Sequence, residues 1–132
     1  MPLQLQSTIM SEGKLNIALA DVPMPQPKDN EVVVRIEATP INPSDLGLLF
    51  GMADMTTAEI TGSAKRPVVT ANVPQNLMKS MSGRLDQNLP VGNEGAGVVV
   101  ATGQSDEAQA LAGNTVGVIG GAMFSQFRAV RT

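Results

Sequence analysis

Hydrophobic and polar side chains alternate along the first part of the chain, and this alternation predicts β-strands. Residues 3–9 and 15–22 both alternate, with a Ser-Glu-Gly-Lys turn between them, so they predict an opening hairpin. Residues 31–39 form the strongest predicted strand, because β-branched residues dominate one face. Pro40 and Pro43 end that strand, since proline cannot donate a hydrogen bond within a sheet.

The second half of the chain predicts one short helix and more strands. A helix is expected to begin at Pro43, with Asn42 as its N-cap. Strands are expected at 91–101, 115–119 and 123–130, separated by glycine turns. Many short strands with turns between them are typical of an antiparallel barrel or sandwich, so the predicted fold class is mainly β.

Residues 53–88 show no regular period, and we expect them to form a long loop insertion. Only 67–70 as a short strand and 74–81 as a helical turn stand out there. A long connection of this kind is usually functional or mobile. We therefore predict a partly ordered loop beside the functional site, within one domain that spans residues 1–132.

The glycine-dense segment at 92–97 leads into a strand instead of a helix. Its spacing is G-x-x-G-x-G, whereas a dinucleotide-binding loop has G-x-G-x-x-G and opens a helix whose N–H groups hold phosphate. We expect these glycines to permit a close approach of two backbones. No segment of the chain has a strand followed by G-x-G-x-x-G and then a helix.

The composition excludes several kinds of chemistry. The chain has 132 residues and no His, Cys, Tyr or Trp, so neither a Ser-His-Asp nor a Cys-His nucleophile can form. Metal sites of imidazole or thiolate are excluded for the same reason. The net charge of −3 and the lack of a basic cluster predict no nucleic-acid partner. No apolar run reaches membrane-spanning length and no signal peptide is evident, so we expect a cytoplasmic protein without a membrane partner.

Several motifs occur in an order that resembles a known module. The order is P-x-P at 23–25, N-P-x-D at 42–45, G-x-E-G-A-G-V-V at 92–99, G-x-x-V-G at 113–117 and a glycine turn with two phenylalanines at 120–127. It resembles the N-terminal GroES-like domain of the medium-chain dehydrogenase/reductase superfamily, and its zinc-free, quinone oxidoreductase-like branch fits best. The resemblance implies a partly open antiparallel β-barrel with one or two short helices.

The same resemblance implies roles for four side chains. Asn42 and Asp45 match the N-x-x-D of the zinc-free branch, in which the Asn lies near the nicotinamide and the substrate. It therefore implies that both are catalytic and that Asn42 also contacts the cofactor, while Phe50 and Asn93 contact the substrate. The residues themselves leave simpler alternatives open: a helix cap for Asn42, a first-turn acid for Asp45, core packing for Phe50 and a turn for Asn93.

The chain departs from the zinc enzymes of the superfamily. Asn93 stands where those enzymes carry a zinc-binding His, and no Cys occupies Pro43 or Ser44. The resemblance therefore implies no metal and no zinc cofactor. Glu94, the next residue, is expected to be structural and to accept hydrogen bonds from backbone N–H groups.

By this resemblance, the chain is the substrate-side domain of an NADPH-dependent oxidoreductase that reduces quinones, enones or related carbonyl compounds. The NADP site would lie mostly outside it, in a Rossmann domain missing from this sequence, so we expect a truncated fragment that is inactive alone. The implied partners are a small-molecule carbonyl or quinone substrate and that missing cofactor domain of the same protein. An apolar face left exposed there makes a homodimer a further option.

Two other interpretations stay open. The chain is alternatively a stand-alone GroES-like protein-binding module without enzymatic activity, with residues 53–88 as its docking loop. It is otherwise a structural remnant that binds neither a cofactor nor a partner. Native size distinguishes the first of these, because a seven-membered ring would favour the protein-binding module and a monomer or dimer would favour the reductase fragment.

Overall fold

The computed structural model describes all 132 residues and contains nine strands, two α-helices and one 3₁₀-helix. In chain order the elements are β1 (Leu3–Met10), β2 (Lys14–Asp21), β3 (Glu31–Ala38), α1 (Pro43–Phe50), β4 (Asp54–Gly62), β5 (Pro67–Asn72), the 3₁₀-helix (Gln75–Arg84), β6 (Leu89–Pro90), β7 (Glu94–Thr102), α2 (Asp106–Ala110), β8 (Thr115–Ile119) and β9 (Phe127–Arg131). The predicted fold class, mainly β with short helices, is confirmed. None of the helices has the length and apolar character that crossing a bilayer requires.

The strands form two antiparallel sheets, which are not closed into a barrel. One sheet has the order β4-β5-β2-β1-β6, and the other has the order β8-β7-β3-β9. The chain also divides into two compact units where the sequence predicted one. Unit 1 comprises Met1–Gln4, Asp21–Pro40 and Gly92–Thr132, and unit 2 comprises Leu5–Ala20 and Ile41–Val91.

The core of unit 1 is built on β3, which matches the strongest strand predicted from the sequence. Val32 and Val34 are buried on one face of that strand and pack against Val99 of β7 and Ala108 of α2. Ser105 caps α2, because its Oγ accepts a hydrogen bond from the N–H of Ala108 at 3.1 Å. The alternating positions of one strand therefore provide the apolar face on which both β7 and α2 pack.

Glycines allow β7 to lie against β3, as the sequence predicted. A Cβ on Gly97 would lie 1.9 Å from the carbonyl oxygen of Arg35, which no side chain permits. Gly92 has a φ of +109°, and a Cβ there would lie 2.6 Å from the backbone nitrogen of Phe124. The glycine-dense segment thus serves backbone contact within unit 1 and leads directly into a strand.

Residues 53–88 do not form the predicted long loop, although the strand predicted at 67–70 and the helical turn predicted at 74–81 are both present. These residues form the β4–β5 hairpin and the 3₁₀-helix, and β5 pairs with β2 in a register that places Val69 opposite Ile17. The pattern was hidden because β4 is largely exposed and carries a register irregularity, so its side chains give no clean alternation.

The core of unit 2 draws on that same segment. Its buried residues are Ile9, Leu15, Ile17, Ala71 and Val73. Met78, Met81 and Leu85, in and after the 3₁₀-helix, pack against them. Methionine fills irregular gaps in a core whose only aromatic neighbour is Phe50, so the irregular sequence of this segment is compatible with dense packing.

The last strand begins later than predicted. β9 starts at Phe127 and not at residue 123, because Met123 serves a turn. The N–H of Met123 donates to the carbonyl of Gly92 at 3.1 Å, and the Met123 side chain is fully buried. A hydrophobic residue that anchors a turn gives the same sequence signal as the first residue of a strand.

Replacing Gly97 by alanine tests the close approach of β7 and β3. We expect Gly97→Ala to lower the free energy of unfolding by about 3 kcal/mol, because Cβ would overlap the Arg35 carbonyl and force the strands apart. Urea unfolding measures this change. Gly117→Ala, in β8, is the matched control: nothing lies within 4 Å of a Cβ there, so we expect a change within about 0.5 kcal/mol. Equal effects of the two substitutions would contradict the account.

Candidate functional site

The N-terminus of α1 fixes two of the predicted site residues in unit 2. Asn42 precedes the helix with an extended backbone, and Pro43 opens the first turn. The Oδ2 atom of Asp45 accepts a hydrogen bond from the backbone N–H of Asn42 at 2.8 Å, and the Asp45 N–H donates to the Asn42 carbonyl at 2.9 Å. The carboxylate of Asp45 is therefore part of the helix cap, and Asp45 is 1% exposed.

Asn42 is the residue whose backbone this helix cap holds in place. Both hydrogen bonds with Asp45 use the backbone of Asn42, so the position of its Cα is fixed from two sides. Asn42 is only half-buried, and its amide carries both a donor and an acceptor. A half-buried amide on a fixed backbone is suited to bind a carbonyl oxygen or a carboxamide.

The C-terminus of α1 is held by a chain of hydrogen bonds that the sequence did not reveal. The Oγ of Ser7, a fully buried residue of β1, donates to the carbonyl of Leu49 at 2.6 Å. The Nη2 of Arg84, at the end of the 3₁₀-helix, donates to the same Oγ at 3.2 Å. These contacts join three elements of unit 2 at the last turn of α1.

Arg84 has an unusual environment for a cation. Its Nε is buried without a hydrogen-bond partner, and burial lowers the pKa of its guanidinium. Arg84 forms no ion pair with a carboxylate. The last turn of α1 contains no basic residue, so we infer that Arg84 supplies the positive charge that favours a helix C-terminus.

Phe50 lies at the far end of the same helix. Its ring is half-buried and packs against the core of unit 2, in agreement with the core-packing alternative. The eight residues of α1 span about 12 Å, so α1 does not bring Phe50 next to Asn42.

Asn93 belongs to unit 1 and lies between Gly92 and β7. Its carbonyl accepts a hydrogen bond from the N–H of Gly120 at 2.8 Å, which links two glycine-containing turns. The residue itself is exposed. The structure thus places Asn42, Asp45 and Phe50 on one helix and Asn93 in the other unit.

Unit 1 contains a cleft of about 660 Å³ at the ends of three of its strands. It is lined by Ala38, Thr39, Pro40, Glu94, Gly95, Ala96, Gly117, Val118 and Ile119. The carboxylate of Glu94 makes no hydrogen bond and no ion pair, so the expected contacts with backbone N–H groups are absent. The cleft gives no local sequence signal, because its residues come from three strands and are brought together only by the register of the sheet.

Neither a metal centre nor a phosphate cradle is formed by these residues. No three His, Cys, Asp or Glu side chains lie close enough together to hold a metal ion. The glycines at 92–97 lead into β7 and are in contact with neighbouring backbone, so their N–H groups do not form a helix N-terminus for a pyrophosphate. The phosphates of a dinucleotide therefore do not fit this segment.

The chain is similar to known proteins in part of its sequence and in its fold. No protein-family model matches the chain. A stretch of 34 residues is 59% identical to a zinc-type alcohol dehydrogenase-like protein of Schizosaccharomyces pombe, covering 26% of this chain and 10% of that protein. Among solved structures, the JamJ enoyl reductase aligns with 99% of this chain at a TM-score of 0.61 and 24% identity.

Two further structures have the same fold. The CurF ER cyclopropanase of the curacin A biosynthetic pathway aligns with 98% of the chain at a TM-score of 0.58 and 26% identity. A putative NADPH:quinone reductase from Mesorhizobium loti aligns with 98% at 0.55 and 17% identity. The resemblance to the GroES-like domain of medium-chain dehydrogenases/reductases is confirmed. The chain spans about a third of the length of each of these solved structures.

Replacing Ser7 tests the hydrogen bonds that hold α1. We expect Ser7→Ala to lower the free energy of unfolding by about 2 kcal/mol, because the Leu49 carbonyl and Arg84 both lose a buried partner. Thr8→Ala is the matched control, since the Thr8 hydroxyl bonds to Asn88 at an exposed position and its loss should cost about 0.5 kcal/mol. Amide hydrogen exchange should become faster at Gly51, whose N–H bonds to Gly47. Unchanged exchange at Gly51 would contradict this role.

Proposed function

We propose that the chain is the substrate-side domain of a zinc-independent, NADPH-dependent reductase that acts on quinones, enones or related carbonyl compounds. The supporting observation is the N-P-x-D motif at the N-terminus of α1, where the cap fixes Asn42 and leaves its amide half-buried. The fold shared with an enoyl reductase and a putative NADPH:quinone reductase supports the same class of reaction. A reductase of this kind would act in the cytoplasm.

Asn42 is the residue to which we assign the main chemical role. Its amide N–H donates to the carbonyl oxygen of the acceptor and orients the bond that is reduced. Negative charge develops on that oxygen during reduction, so the hydrogen bond is stronger in the transition state than in the bound substrate. The same side chain is placed to contact the carboxamide of the cofactor, while Asp45 acts by holding Asn42 in position.

The nicotinamide cofactor supplies the hydride when it is bound. Because residues 92–97 do not form a phosphate cradle, we propose that a separate dinucleotide-binding domain of the same protein holds the phosphates. The chain has no His or Tyr, so the proton that completes the reduction comes from water or from that domain. Asn93 and Phe50 are proposed to contact the substrate.

The protein-binding alternative loses its main support. It depended on a mobile loop at residues 53–88, and these residues instead form a hairpin and a 3₁₀-helix that pack on the core of unit 2. No other feature of the structure favours a docking module.

The proposed function can be tested on the whole protein encoded by the open reading frame that contains the codon for Thr132. We expect its full product to oxidise NADPH in the presence of benzoquinone or cyclohexenone, and residues 1–132 alone to show no such activity. A full product that carries a dinucleotide-binding domain but reduces neither acceptor would overturn the proposed function.

Substitutions of Asn42 test its role within that product. Asn42→Ser keeps an N-cap hydroxyl but removes the amide, so we expect kcat/KM to fall by about 100-fold with little loss of stability. Asn42→Ala should lose a similar factor in activity with little loss of stability, because both hydrogen bonds with Asp45 use the backbone of residue 42. Asn76→Ser, at an exposed position of the 3₁₀-helix, is the control and should leave both quantities unchanged. Unchanged activity of Asn42→Ser would remove Asn42 from the mechanism.

A further inference from the structure

The floor of the cleft in unit 1 is made of small residues that the sheet register brings side by side. Ala96 of β7 lies opposite Ala38 of β3 on one side and Gly117 of β8 on the other. Residues directly opposite each other in a sheet project from the same face, so three small residues leave a depression there. The volume of about 660 Å³ lies within the range of small-molecule sites, roughly 300–1,000 Å³.

Glu94 stands at one end of this floor. It lies opposite Ile119, whereas the adjacent residue, Gly95, lies opposite Val118, which packs in the core of unit 1. Successive side chains of a strand alternate between faces, so the Glu94 side chain is on the cleft face with Ala96. The half-buried carboxylate makes no hydrogen bond or ion pair, and the hydroxyl of Thr39 in the same wall has no protein partner either.

No cation of the protein competes for Glu94 within the cleft. Neither Lys nor Arg lines it. Arg35 is on the same face of the sheet, but it lies opposite Val98, four residues along β7 and so about 13 Å from Glu94. Arg35 is also paired with Glu37 at 2.9 Å. The cleft therefore presents one uncompensated negative charge beside mainly apolar residues, so it is complementary to a ligand with a positive charge and an apolar body.

We propose that this cleft binds small apolar primary amines, with the ammonium group on Glu94 and the apolar body over the floor of small residues. An ammonium has three N–H donors, enough for both Glu94 carboxylate oxygens. Ile119, which is 89% exposed, provides apolar surface beside the carboxylate. The proposal concerns unit 1 alone and does not depend on the reductase function.

Titration of the 132-residue chain with phenethylamine, followed by two-dimensional amide NMR spectra, tests the proposal. We expect saturable shifts at the amides of Gly95, Gly117 and Val118. Phenethyl alcohol, which has the same apolar body without the charge, should bind about 10-fold more weakly, because hydrogen bonds to a charged group contribute more than neutral ones.

Three variants assign the binding to the cleft. Glu94→Gln should weaken phenethylamine by about 10-fold and leave phenethyl alcohol unchanged, whereas Glu107→Gln, at an exposed carboxylate of α2, should change neither. Gly117→Val should abolish binding of both compounds, because a side chain there meets nothing within 4 Å and would fill the floor without disturbing the fold. Equal affinities for the amine and the alcohol, the absence of saturable shifts, or an unaltered amine affinity in Glu94→Gln would overturn the proposal.

Discussion

At Gly97 the backbone of β7 lies so close to β3 that a Cβ would be 1.9 Å from the Arg35 carbonyl oxygen. β3 is the strand on which unit 1 depends, because it pairs with β7 on one side and β9 on the other and carries Val32 and Val34 into the core. Gly97 therefore lets β7 pair with one edge of β3, while β9 pairs with the other edge. The resulting register also aligns Ala96 with its small neighbours and forms the cleft beside Glu94.

The second constraint acts on α1, which is too short to be stable on its own. Asp45 binds the backbone of Asn42 at one end, and Ser7 binds the Leu49 carbonyl at the other. Arg84 completes the second contact while its own Nε stays unpaired. Polar groups buried at both ends of this eight-residue helix fix the backbone from which the Asn42 side chain projects. The proposed role of Asn42 would draw on this preorganisation.

Features that follow from local sequence were predictable, and features that follow from long-range pairing were not. β3 and β8 follow from alternation, and the capped start of α1 follows from Asn42 and Pro43. β5 was predicted in part, at 67–70, but β4 and its pairing with β5 were missed, because the hairpin is held in the sheet by pairing of β5 with β2, which is distant in sequence. Glu94 was predicted to bind backbone N–H groups, and its lack of partners depends on the register of three strands. Arg84 gave no signal, because its burial depends on how the 3₁₀-helix packs.

The central claim is that the amide of Asn42 binds the carbonyl oxygen of the acceptor. The most direct measurement is a crystal structure of the full product of the reading frame with oxidised cofactor and cyclohexenone bound. The account predicts that the Asn42 Nδ2 atom lies about 2.8–3.2 Å from the carbonyl oxygen. A carbonyl oxygen bound by other residues, with the Asn42 amide beyond hydrogen-bond distance, would contradict it.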